Sequence, residues 1–113
     1  MSGITTHVLD LASGRPAAGV AVALEVKRGA DGWERLGAGV TDDDGRVRDL
    51  VAAGELGPGV HRMVFATGDY FASAGVQGFY PEVTVVFTLT DPARHHHIPL
   101  LLSPFGYSTY RGS

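Results

Sequence analysis

The chain has 113 residues, 44% of them hydrophobic and 19% charged, a formal net charge of -3 and no cysteine. That length fits one domain spanning residues 1–113, able to bury about two-thirds of its extended-chain surface around a single core. The weak negative charge gives no basic footprint for nucleic acid, and no stretch of about 18 apolar residues offers a membrane span. Without thiols, disulfides, thiolate nucleophiles and thiolate zinc sites are excluded. Met1 to His7 lacks the positive and apolar segments of a secretion signal, and the tail is not a Ser-Lys-Leu address, so a cytoplasmic location is expected.

The dominant period along the chain is two. A first strand is expected over Thr5 to Asp10, followed by a turn at Ser13-Gly14-Arg15-Pro16. Val20, Val22, Leu24 and Val26 alternate with Ala21, Ala23, Glu25 and Lys27, the pattern of a strand with one buried face. After Gly29-Ala30-Asp31-Gly32 come strands at Trp33 to Val40 and, past Asp43-Asp44-Gly45, at Arg46 to Leu50. Gly57-Pro58-Gly59 precedes a strand at Val60 to Ala66. Asp69 to Gly75 alone reads as helix, with Asp69 placed to cap it and Gly75 to stop it. Val83, Val85, Phe87 and Leu89 alternate with polar or smaller residues in another strand. Many short strands with turns at this spacing favour a sandwich or barrel, an all-β architecture with one short helix.

The last strand is rich in histidine: His95-His96-His97-Ile98-Pro99-Leu100-Leu101-Leu102-Ser103-Pro104. Strand side chains alternate faces, so His95, His97, Pro99 and Leu101 share one side, and His96, Ile98, Leu100 and Leu102 the other. The second set makes the better core. Pro99 and Leu101 are then outward beside two histidines, and an outward apolar strip is usually covered by another surface, here economically a second copy of the chain. The Tyr110-Arg111-Gly112-Ser113 tail carries an aromatic, a guanidinium and a hydroxyl, and chain ends fray unless something holds them. Imidazoles exchange protons near neutral pH, so the histidines and the tail together suggest an active site.

Each group also has a plainer explanation. His95 and His97 on one face allow a zinc site with His7 or His61 as a third ligand, though no spacing motif supports it. Asp42-Asp43-Asp44-Gly45 reads as a polar hairpin turn, without the alternating acids of a calcium loop, and Arg46 behind it is by default solvated. Ser113 has no nucleophile-elbow setting, which argues against a covalent acyl-enzyme.

Four segments change the weighting. His7-Val8-Leu9-Asp10 with Ser13-Gly14-Arg15-Pro16-Ala17, Asp44-Gly45-Arg46, the His95 to Pro104 run, and Phe105-Gly106-Tyr107-Ser108-Thr109-Tyr110-Arg111-Gly112-Ser113 together resemble the 5-hydroxyisourate hydrolases, the transthyretin-related enzymes of urate breakdown. The resemblance runs from the first strand to the tail. It implies a transthyretin-like Greek-key β-sandwich of about eight strands and a homotetramer, a dimer of dimers with sites where the dimers meet. It also implies a reaction without cofactor or metal. The family's functional residues fall on His7, Arg46, His97 and the tail from Tyr110 to Ser113. His7, Arg46, His97 and Ser113 would be catalytic, and His7, Arg46, His97, Tyr110 and Arg111 would hold the substrate. One departure is visible: His96 stands where the family usually has Tyr, and by strand parity it points away from His97.

The implied chemistry suits these residue types. Opening an electron-poor ring at a carbonyl needs an activated water, a task for the two imidazoles relayed in part through Ser113. Arg46, with Arg111, would orient the ring and meet the charge on the oxygen. Tyr110 and Arg111, adjacent on a strand, are not expected to face one pocket together; Tyr110 is expected on the site side, with Gly112 leaving room. The alternative is a small-ligand carrier, because Leu101 to Thr109 also looks like transthyretin. Carriers lack histidines at the positions of His7 and His97.

Overall fold

A computed structural model describes residues 3–48, 50, 51 and 56–112. In chain order its elements are β1 (Gly3–Asp10), β2 (Arg15–Pro16), β3 (Ala21–Arg28), β4 (Gly32–Val40), β5 (Arg46–Val47), β6 (Gly59–Phe65), α1 (Thr67–Ser73), β7 (Val83–Leu89), β8 (His95–Ser103) and β9 (Gly106–Thr109). One sheet runs β2-β1-β8-β9 with β5 also on β1, and the other runs β4-β3-β6-β7. The chain passes back and forth between the sheets, so neighbours in space are mostly distant in sequence. Among the described residues there are nine strands against an expected eight or so, because Arg15 and Pro16, read as part of a turn, pair with β1. The strand expected over Arg46 to Leu50 stops at Val47.

The alternating patterns bury the faces they predict. Ile4 and Val8 of β1, Val22 and Leu24 of β3, Met63 and Phe65 of β6, and Ile98, Leu100 and Leu102 of β8 meet in one core between the sheets. Each such side chain taken out of water contributes about 1.5–3 kcal/mol, and this layer holds the outer faces in register. Two buried hydroxyls are paired, Thr6 donating to the Ile98 carbonyl at 2.6 Å and Thr41 to the Ala17 carbonyl at 2.6 Å, whereas His61 Nε2 is buried without a hydrogen-bond partner among the described residues.

The helix starts two residues earlier than expected. Ala66 occupies the N-cap without a side-chain hydrogen bond, and Asp69 lies in the first turn, where its charge still favours the positive helix end. Asp10 instead does the fastening, accepting hydrogen bonds from Ala12 N, Ser13 N and the Tyr70 hydroxyl, the last at 2.7 Å. Burial and that carboxylate raise the Tyr70 phenol to about 12, so it stays a donor at physiological pH.

Pro99 shapes the end of the molecule. It sits inside β8, paired in parallel with His7 on one side, and has no N–H for the other. Its carbonyl is taken by the Thr109 hydroxyl at 2.6 Å, and regular β8–β9 pairing stops at Leu100 and Thr109. Pairing returns only at His97 and Gly112, in the same register, with Gly112 N donating to the His97 carbonyl at 2.8 Å. Tyr110 and Arg111 are thereby freed from the ladder while the tail remains tied to β8.

Candidate active site on the outer face of one sheet

Three short-range facts bring the candidate residues together. In β1 the burial alternates so that Ile4, Thr6, Val8 and Asp10 face the core, leaving Thr5 and His7 on the outer face. The in-register parallel pairing of β1 with β8 sets Thr5 beside His97 and His7 beside Pro99. The antiparallel pairing of β1 with β5 then sets Arg46 beside His7. Arg46, His7 and His97 therefore share one outer face on three neighbouring strands of a single chain. All three are half-buried.

The turn before β5 is built to present Arg46. Asp42 accepts hydrogen bonds from Asp44 N and Arg46 N at 2.9 and 3.0 Å, and these hold its carboxyl below the usual carboxylate range. Gly45 adopts φ of 76°, and its carbonyl accepts from Val8 N at 2.7 Å. A Cβ at Gly45 would lie 2.4 Å from the Val8 carbonyl oxygen, so a side chain there is excluded by strain and by space.

His97 carries the clearest electrostatic signature. Its partial burial holds the imidazole below the ordinary histidine range, the fields of Arg46, His7 and His95 push the same way, and a backbone hydrogen bond at Thr5 opposes them. Its Nδ1 lies 2.8 Å from the Thr5 hydroxyl. Across the strand Gly112 passes so close that a Cβ there would lie 2.7 Å from the His97 ring, so the expected room at Gly112 is real. The neutral imidazole is favoured, which is the form a general base needs.

A cavity of about 270 Å³ lies where β7 of the opposite sheet meets β8 and the tail, lined by Val85, Phe87, Thr88, His96, His97 and Tyr110 among others, Arg111 included, and reaches His97 but not His7 or Arg46. Tyr110 and Arg111 both border this cavity, as do consecutive residues of β7 and β8, and both follow the last regular β8–β9 pair. His96 is on the core side of β8 as parity requires, its Nδ1 2.9 Å from the Arg94 carbonyl oxygen. Ser113 lies outside the described residues.

Other groups take a different place in the fold from the one expected. His61 is buried on β6 in the opposite sheet, stacked on Phe87 at 5.9 Å between ring centroids, and cannot complete a metal site with His95 and His97. Among the described residues no three or more His, Asp or Glu side chains gather to hold a metal ion. The outward apolar strip is less open than expected: Pro99 is already buried within one chain and Leu101 is half-buried. One residue was missed. Thr5 shares the outer face with His7 by the same parity, and that was the signal that would have found it.

The family model described as HIUase/Transthyretin family matches residues 4–112. The chain belongs to the HIUase/Transthyretin family. It is 47% identical over 117 residues to a 5-hydroxyisourate hydrolase of Caulobacter vibrioides, covering 100% of both chains. Its fold is similar to that of the Klebsiella pneumoniae 5-hydroxyisourate hydrolase, with TM-score 0.84 and 38% identity over 100% of this chain and 94% of that one. It is also similar to transthyretin from Sparus aurata, with TM-score 0.93 and 32% identity over 99% and 97%. Backbone likeness alone thus does not separate the family's two branches, and the side chains on the outer face have to.

Proposed function

We propose that this protein is a 5-hydroxyisourate hydrolase, adding water across a ring C–N bond of 5-hydroxyisourate to give 2-oxo-4-hydroxy-4-carboxy-5-ureidoimidazoline in urate degradation. The observation that carries this reading is the convergence of His7, Arg46 and His97 on one sheet face of a chain so similar to hydrolases. In this scheme the His7 and His97 pair takes a proton from water as the water oxygen bonds to a ring carbonyl carbon. Negative charge builds on the carbonyl oxygen, where the planar guanidinium of Arg46 donates to it. Collapse breaks the C–N bond, and the proton returns to the departing ring nitrogen. Ser113, next in sequence to the Gly112 that pairs with His97, is assigned the relay between the two imidazoles. Tyr110 and Arg111 hold the substrate. The scheme needs no cofactor and forms no covalent intermediate.

The shape of the site supports a homotetramer. Small-molecule sites bury most of their ligand's surface, whereas this catalytic set lies on an outer sheet face of a single chain. A second copy set against that face would close it, and a dimer of dimers would close each face in turn. No helix among the described residues is long and apolar enough to cross a membrane. A cytoplasmic location and a single domain over residues 1–113 are part of the proposal.

The decisive experiment is the ultraviolet decay of freshly oxidised urate, with and without purified protein and with a chelator present. Acceleration is expected, and His97→Asn should lower the turnover number by about a hundredfold or more. An unchanged turnover number would remove His97 from proton transfer. The second reading, a small-ligand carrier, draws on the TM-score of 0.93 to transthyretin. Absence of any acceleration together with saturable binding of thyroxine would favour it.

A further inference from the structure

The Thr5 hydroxyl sits between two imidazoles, 2.8 Å from His97 Nδ1 and 3.0 Å from His95 Nε2. Both rings reach it because Thr5 lies opposite His97 in the β1–β8 pairing, and His95 shares the outer face two residues earlier on β8. A hydroxyl has one proton to give and lone pairs to receive. It cannot donate to both rings, so two hydrogen bonds require that it donate to one and accept from the other. The tautomers of His95 and His97 are therefore tied together. When Thr5 donates to His95 Nε2, it accepts from His97 Nδ1–H, and His97 Nε2 is left with a free lone pair. In the opposite arrangement His97 Nε2 carries the proton and cannot act as a base.

We propose that Thr5 and His95 are positioning residues that form a proton relay behind His97. Thr5 holds the neutral His97 in its Nδ1–H tautomer. When Nε2 takes a proton from water, the Nδ1–H bond breaks, its proton joins the Thr5 oxygen, and the hydroxyl proton moves to His95 Nε2. One proton enters at His97, one O–H bond forms and one breaks at Thr5, and one N–H bond forms at His95, with no change in electron count. The positive charge arrives on His95.

The surroundings favour that direction. His97 is half-buried and faces the guanidinium of Arg46 on β5 and the imidazole of His7 on β1, with Tyr110 and Arg111 of the tail on the cavity it lines. A cation there meets like charge and reduced solvation. His95 is exposed, so water solvates the charge until His97 gives its Nε2 proton to the departing ring nitrogen and the relay runs back from His95 through Thr5 to His97 Nδ1. The inference deepens the hydrolase reading and rests on it for the use of the relay, while the tautomer it requires is a property of the resting protein.

Two measurements test it. In the wild-type protein, long-range nitrogen–proton correlation spectra should show neutral His97 protonated at Nδ1; protonation at Nε2 would overturn the proposal with no variant needed. In the urate assay, Thr5→Val should lower kcat about tenfold with KM nearly unchanged, a fraction of the effect of losing the imidazole itself. Thr5→Ser, which keeps the hydroxyl, should restore it. His95→Asn should show the same loss and recover activity with added imidazole. Wild-type kcat in Thr5→Val, or His95→Asn insensitive to imidazole, would sink the relay. A wild-type protein inactive on the substrate but with His97 in the Nδ1–H form would instead count against the hydrolase reading and leave the hydrogen-bonded positioning intact.

Discussion

At the scale of single residues, His97 makes the sharpest demand on pH. The folded protein holds this imidazole below its ordinary value, first through burial and then through Arg46, His7 and His95. A base with a depressed pKa stays ready in mild acid, so the acid limb of kcat/KM should have its inflection below about 6.5, the ordinary histidine value. The same shift links to stability. Between the folded and unfolded pKa values the unfolded chain binds more protons, so stability is full above the unfolded value and declines as pH falls toward the folded one. Initial rates from pH 4.5 to 8, paired with denaturant midpoints at each pH, check both limbs; an inflection above 7 would mean that another group carries the proton. How much of this could be read in the sequence varies by residue. That His7 and His97 are candidates came from motif, and that they lie on an outer face from parity, because period-two alternation maps directly onto the faces of a sheet. Thr5 was not, since a threonine in a strand is ordinary and its role exists only through pairing with a strand about ninety residues away.

At the scale of elements, the site depends on turns and breaks more than on strands. Arg46 is aimed by a turn in which Gly45 takes a positive φ and its missing Cβ leaves room for the Val8 carbonyl. Gly45→Ala therefore combines a strained backbone with a direct clash. It should destabilise the protein by about 1–3 kcal/mol in a denaturant titration and reduce activity further by displacing Arg46. A variant with wild-type midpoint and rate would show that the turn is not what sets the guanidinium. The turn itself was legible, because Asp43-Asp44-Gly45 has the chemistry of a hairpin tip. The interruption of the last strand pair was not, because period-two alternation carries no sign of where pairing stops. Pro99, read only as part of an outward strip, is the residue that breaks it, by lacking the N–H that would continue the ladder past Thr109. Asp69 was misjudged for a related reason: a cap preference names a residue type, while the packing of Tyr70 onto Asp10 fixes where the helix sits.

At the scale of the whole molecule, one chain leaves unfinished surface in the places where the proposed enzyme needs cover. β7 and β9 each lie at one edge of their sheets, and Val86 and Tyr110, 58% exposed each, flank the cavity that both edges help to line. Unpaired edges are templates for pairing with another copy. The sheet that carries the proposed catalytic face adds Leu11 and Phe105, 57% and 70% exposed, at its bounding turns. Two kinds of unfinished surface, an edge and a face, are what a dimer of dimers would cover. If the face is closed only by a partner, specific activity and subunit number must fall together on dilution. Sedimentation velocity and the ultraviolet assay, run across the same concentration series, should show one coincident transition. Placing a charge in the contact by Phe105→Glu should shift that transition to higher protein concentration and lower activity at a fixed one. Neither change touches His7, Arg46 or His97, so full activity in a demonstrably monomeric Phe105→Glu protein would mean that the outer face binds substrate without a partner.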